Sequence, residues 1–157
     1  MIHRMSVYAW SYKRILAIII ITLLLWGMSV RRFGEYRWWK FLNAAGSCGA
    51  VIIILRFTVW GRVPSGMHLV MFAAEYSGEF FREMLMNVFL YFPLGITLSC
   101  VVGRYSIFAG FLLSFSIETW QFLAGTGVAQ GTDVLCNTLG CVLGVLPGIM
   151  TRRHIKE

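Results

Sequence analysis

The residues best suited to chemistry are two carboxylates, Glu118 and Asp133, one inside a long apolar run and one at the entrance to the next. An ionisable group at such a position is costly to desolvate, so it must be paired, hydrogen-bonded or protonated. Gln121 follows Glu118 by three residues and shares its helix face. Asn137 follows Asp133 by four, and Arg82, Glu83 and Asn87 open the preceding apolar run. This set could bind a headgroup, with Arg82 meeting an anion and Glu118 or Asp133 meeting an amine. Alternatively, Glu118 and Asp133 could serve as catalytic acid and base. Each residue also has a plainer role. Asp133, preceded by Thr132, can cap a helix start. Asn87, Gln121 and Asn137 can bond between helices, each worth about 0.6–2 kcal/mol. Arg82 is the expected structural partner of Glu118.

No nucleophile motif or phosphate loop accompanies the carboxylates, and His3, His68 and His154 are scattered. No metal or cofactor is expected, and the balance favours a non-catalytic protein.

The elements that must hold these groups are membrane helices. Of 157 residues, 58% are hydrophobic and only 13% charged, with a mean hydropathy of +0.71. A soluble domain carries about twice that share of charge. The expected fold is therefore an all-α polytopic helix bundle, a single membrane domain over residues 1–157. Spans are expected at about 15–30, 41–60, 84–103, 105–124 and 134–150, since a crossing needs about 20 apolar residues. Phe33 to Lys40 reads as a short aromatic and basic loop, and Arg62–Glu83 as the longest connection, with a short amphipathic stretch at Glu79–Glu83. Val102–Tyr105 reads as a tight turn and Gly125–Asp133 as a loop.

The net charge of +7 sits at the ends of the apolar runs, as at Lys13-Arg14, Arg31-Arg32 and Arg152-Arg153. That placement points to interface anchoring and excludes nucleic acid as a partner. The cationic bias places the N-terminus outside and the C-terminus in the cytoplasm, with eight of the fourteen Lys and Arg residues on the inner side. Cys48, Cys100, Cys136 and Cys141 form no C-x-x-C pair and read as small packing residues.

Three spans carry stripes. Gly110, Ser114, Glu118, Gln121 and Gly125 fall within about 80° of one another at 100° per residue. So do Asp133, Asn137, Gly140, Gly144 and Gly148. Asn87, Tyr91, Gly95 and Ser99 make a looser third stripe, broken by Pro93, which frees backbone near Phe89. Antiparallel order alone gathers the polar ends of all three near one membrane face. The glycine steps allow close backbone approach, and a homo-oligomer through the Gly140–Gly148 face is one use of them.

These residues resemble the VanZ-like family. Phe80-Phe81-Arg82-Glu83-Met84 with Asn87-Val88-Phe89-Leu90-Tyr91-Phe92-Pro93-Leu94-Gly95 is similar to its first signature. Ser114-x-x-x-Glu118-x-x-Gln121 is similar to the second, and Thr132-Asp133-Val134-x-x-Asn137-Thr138-x-Gly140-x-x-x-Gly144 to the third. The ordered set covers about Phe80 to Gly148. The family's founding member is an accessory teicoplanin-resistance protein of Gram-positive bacteria. The resemblance implies a bacterial cytoplasmic-membrane protein connected with glycopeptide susceptibility or the cell envelope. Members often carry an acid three residues before the aspartate of the third motif, and here that position is Gln130. If that acid performs a step, this chain should lack it.

Three functions follow as expectations. The first is an envelope factor binding a lipid-linked cell-wall intermediate, a glycopeptide headgroup or a partner protein at the polar cluster, with membrane lipid around it. The second is an intramembrane enzyme acting on a lipid-linked substrate through Glu118 and Asp133. The third is a transporter or channel subunit, suggested by a broken span and intramembrane charge.

Overall fold

The computed structural model describes residues 36–62, 66–72 and 78–156, together with positions 17, 20, 21, 23, 24 and 26–28. Those early positions are helical, and Trp26 lies beside Cys100. The rest of the first expected span lies outside the described residues, as do Arg31, Arg32 and Glu75. The described chain runs α1 (Tyr36–Thr58), β1 (Gly66–Val70), α2 (Gly78–Val102), α3 (Tyr105–Ala124), β2 (Thr126–Gln130) and α4 (Gly131–Lys156). Among the described residues, four helices are long and apolar enough to cross a membrane, and they coincide with these four. The protein is an all-α polytopic membrane bundle carrying one small sheet.

The stretch Tyr36–Lys40, expected as loop, is instead the first turn of α1. Its basic residues conceal a helical spacing. Trp39, Asn43, Ser47, Ala50 and Ile54 recur at steps of four, four, three and four, and all five are buried. The Asn43 amide donates to the Trp39 carbonyl at 2.9 Å, tying that first turn to the next. Arg37 and Lys40, both exposed, can carry their charges outward on long stems.

This face of α1 packs on α2. Ser47 donates to Thr97 at 3.1 Å, while Ala50 and Ile54 join Leu90, Tyr91, Leu94 and Ile117 in the core. The helix α2 is the axle of the bundle. Residues Pro93 to Thr97 are buried all round, which only a helix surrounded by others can show. Its start extends back to Gly78, so the amphipathic stretch Glu79–Glu83 belongs to the helix. Glu79 sits in the first turn, where the positive end of the helix dipole favours an acid.

On the opposite side α2 meets α4 through glycine. A Cβ on Gly140 would collide with the Val88 carbonyl, and one on Gly144 with the Phe92 carbonyl. Conversely, a Cβ on Gly95 would collide with the Cys141 carbonyl. The two backbones therefore lie in direct contact along three helical turns. The Gly140–Gly148 face of α4 is thus covered by α2 of the same chain.

The lipid-facing surfaces are the complements of these seams. On α4 they are Leu135, Leu139, Leu143, Leu146 and Met150, again stepping by four, four, three and four. On α3 they include Phe108, Leu112, Phe115, Trp120 and Leu123.

The connections expected as loops contain strands. β1 pairs in parallel with β2, in the register Gly66 with Thr126 through Val70 with Gln130. Neither strand has a strong local preference: β1 offers one β-branched residue, Val70, and in β2 Gly127 and Ala129 offset Thr126 and Val128. They form because α3 ends beside α1, bringing the two connections together. Gly125 makes this possible: its φ of 60° ends α3 in a left-handed cap, and its N–H donates to Phe122 at 3.2 Å. The Gly125 carbonyl then accepts from the Gly66 N–H at 3.2 Å, starting the sheet.

Candidate functional site

The end of the bundle under this sheet gathers the termini of all four helices: the end of α1, the start of α2, the end of α3 and the start of α4. The polar residues singled out from sequence lie there, held by different elements.

Glu118 sits on the buried face of α3 with Gly110, Ser114, Ile117 and Gln121, and is itself only 8% exposed. Its Oε2 accepts the backbone N–H of Gln130 at 2.9 Å. Gln130 ends β2, so the sheet itself supplies the donor that satisfies the carboxylate. The Gln130 side chain is engaged elsewhere, its Oε1 accepting from the Thr132 hydroxyl at 3.4 Å. At this position the chain contributes an amide side chain and a backbone donor in place of a further acid.

Gln121, one turn further along α3, bridges to α1. Its Nε2 donates to the Thr58 carbonyl at 3.0 Å, one of the carbonyls left open at a helix end. Its Oε1 accepts from Arg62 Nη1 at 3.5 Å. The Arg62 guanidinium lies against Gly127 of β2, where a Cβ would stand 2.6 Å from Nη1. A larger residue at 127 would displace the arginine.

Asp133 is half-buried in the first turn of α4. It faces Asn87 of α2 and lies in the fields of Glu83 and Arg62. Arg62 also acts on Glu118, as does Asp133. The charge of Arg62 is thus felt by carboxylates on two different helices. Arg82, expected as the partner of Glu118, is half-buried in the early turns of α2, next to the exposed Glu83. The charge of Arg62 reaches both carboxylates. Sequence reading assigned Arg62 no role, although it follows an apolar helix directly and must end near the same membrane face as the acids.

One turn deeper, Asn137 Nδ2 donates to Ser114 Oγ at 2.9 Å and joins α4 to α3. Its Oδ1 is buried with no hydrogen-bond partner among the described residues. The Tyr91 hydroxyl, fully buried on α2, lies next to the same serine without reaching hydrogen-bond geometry with any described residue. Polar groups from α2, α3 and α4 therefore continue inward from the mouth to Ser114.

A mouth with the carboxylates Glu83, Glu118 and Asp133 and the exposed Arg62 guanidinium can hold a ligand that presents both an amine and an anion. The open cation and the half-buried Asp133 face outward, while Glu118 is fixed by the sheet.

Apolar helices with a mixed acid–base mouth at one end define a multi-span membrane protein whose polar site is built from helix termini. The family model described as VanZ/LLP1 matches residues 15–151, and the chain belongs to that family. The matched range begins well before the motifs between Phe80 and Gly148, so it includes α1. Protein VanZ of Enterococcus faecium is 35% identical to this chain over 81 residues, which is 49% of this chain and 50% of that protein. The chain spans about half the length of this curated relative. No solved structure matches it.

Proposed function

We propose that this protein is an envelope factor of the bacterial cytoplasmic membrane that acts in glycopeptide, teicoplanin-type, resistance. It does so by binding a lipid-linked cell-wall intermediate or a glycopeptide headgroup at the Arg62–Glu118–Asp133 mouth. The observation that carries this reading is the shared cation. Arg62 is exposed yet poised between Gln121 and Gly127, and it acts on carboxylates from two helices. Such a mouth presents charge of both signs, as a zwitterionic peptide or phosphate-bearing headgroup requires. Family membership supports the general kind of function.

The mouth opens on the outer face, where cell-wall intermediates and antibiotics meet the membrane, with the C-terminus inside. A reporter fused after Glu157 reads cytoplasmic in this arrangement, and an external reading reverses it. The binding role is tested by making Glu118→Gln and Asp133→Asn at matched protein levels and measuring teicoplanin susceptibility. Loss of protection in both supports the mouth as the binding site, and full protection in both makes the cluster purely structural.

A further inference from the structure

We infer that the opposite end of the bundle carries an anionic-phospholipid site, formed by Arg104, Arg152 and Arg153 around the turn between α2 and α3. A hollow of about 270 Å³ lies there, lined by Gly103, Arg104, Ile149, Arg152 and Arg153. The turn creates the space. Gly103 has a φ of 68° and no side chain, and Arg152 Nη1 stands only 2.9 Å from where its Cβ would be. The Arg152 guanidinium thus rests directly against the turn. Arg104 stands at the rim, its guanidinium 5.9 Å from the Tyr105 ring centre. Arg153 is exposed beside them.

Three arginines from two segments therefore line one concavity, with the Arg152 guanidinium set against the turn. Arginines that only anchor helices at an interface need not converge, and each can snorkel outward alone. The described acids Glu79, Glu83, Glu118 and Asp133 all lie at the other end of the bundle. A phosphodiester fits the planar fork of donors that the Arg152 guanidinium presents, with Arg104 and Arg153 adding charge beside it. The inner wall decides between a lipid and a free phosphate. Ile149 lines the hollow on its membrane side, and Val102 and Met150, 41% and 72% exposed, continue that wall onto the lipid-facing surface. A headgroup among the arginines would leave its acyl chains along this apolar strip. Basic pockets between transmembrane helices are suited to anionic headgroups in this way.

The test is lipid retention by the purified full chain, measured by native mass spectrometry with phosphatidylglycerol and phosphatidylcholine of matched acyl length. Phosphatidylglycerol should be retained selectively. Arg152→Gln alone should weaken retention about fivefold, and the combined Arg104→Gln, Arg152→Gln, Arg153→Gln variant should abolish the selectivity. The control variant Arg37→Gln with Lys40→Gln, on the same membrane face but on α1, should retain the lipid as the parent does. Inorganic phosphate at millimolar concentration should not displace the lipid. Retention unchanged in the arginine variants overturns the site. An equal loss in the α1 control reduces it to general surface charge, and displacement by phosphate makes it a free-anion site. Each of these outcomes refutes the proposal.

Discussion

The seam between α2 and α4 and the mouth at their shared end use the same two helices in opposite ways. In the seam, Gly95, Gly140 and Gly144 bring backbone against backbone and leave no room for a methyl group. Towards the mouth, Asp133 stays half-buried and, one turn below it, the Asn137 Oδ1 has no hydrogen-bond partner among the described residues. Close packing without lipid-like side chains is how membrane helices hold together, because burial of apolar surface supplies no drive between them there. The seam is thus where stability resides. The mouth retains costly groups that a purely structural helix end would not need. The contrast implies that substitutions in the seam remove the protein, whereas substitutions at the mouth remove its activity.

That separation can be broken experimentally. The largest effect is expected from Gly144→Leu, whose side chain would meet the Phe92 carbonyl, the Ile96 nitrogen and the Gly95 Cα, all of them backbone atoms that cannot swing aside. A cost above about 3 kcal/mol should leave little monodisperse protein on size-exclusion chromatography after extraction. If Gly144→Leu is recovered at normal yield, the seam is not the stabilising region. Next come Glu118→Gln and Asp133→Asn, which should abolish teicoplanin protection while yield and melting stay near those of the parent. A fall in yield matching the loss of protection would merge the two regions into one. Arg62→Gln should weaken protection without abolishing it, because the arginine is exposed and its bond to Gln121 is long, at 3.5 Å. Susceptibility titration reads this directly, and an effect larger than that of Glu118→Gln would make Arg62 the principal binding group. Gly125→Ala should cost about 1 kcal/mol, since its φ of 60° disfavours any side chain. Thermal melting in detergent measures it. The smallest effect belongs to Ser47→Ala, which removes the bond to Thr97 and should cost about 0.6 kcal/mol.

The seam and the mouth were unequally legible in the sequence. Gly140, Gly144 and Gly148 repeat every four residues, and such a stripe can be read without knowing its partner. The sequence did not say that the partner was α2 of the same chain, because spacing is silent about which surface arrives. Glu118, Gln121, Asp133 and Asn137 could be placed together from antiparallel order alone. Arg62 was missed as a member, although the same order applies to it. The turn Tyr36–Lys40 was misread because hydropathy averages Arg37 and Lys40 with Trp39 and so hides a regular buried face. The strands were illegible for another reason. Thr126-Gly-Val-Ala-Gln130 has only a weak strand signal of its own, and its structure comes from a partner two helices away.

That pairing has a consequence for biogenesis. β1 emerges before α2, and β2 only after α3, so the first strand must wait unpaired while two further helices enter the bilayer. The Gln130 N–H reaches Glu118 only once β2 is in register. Until then the carboxylate of α3 has no backbone donor from the sheet. The sheet therefore acts as a latch that can close only after α2 and α3 are in place, and the mouth beneath it is complete only once α4 has followed.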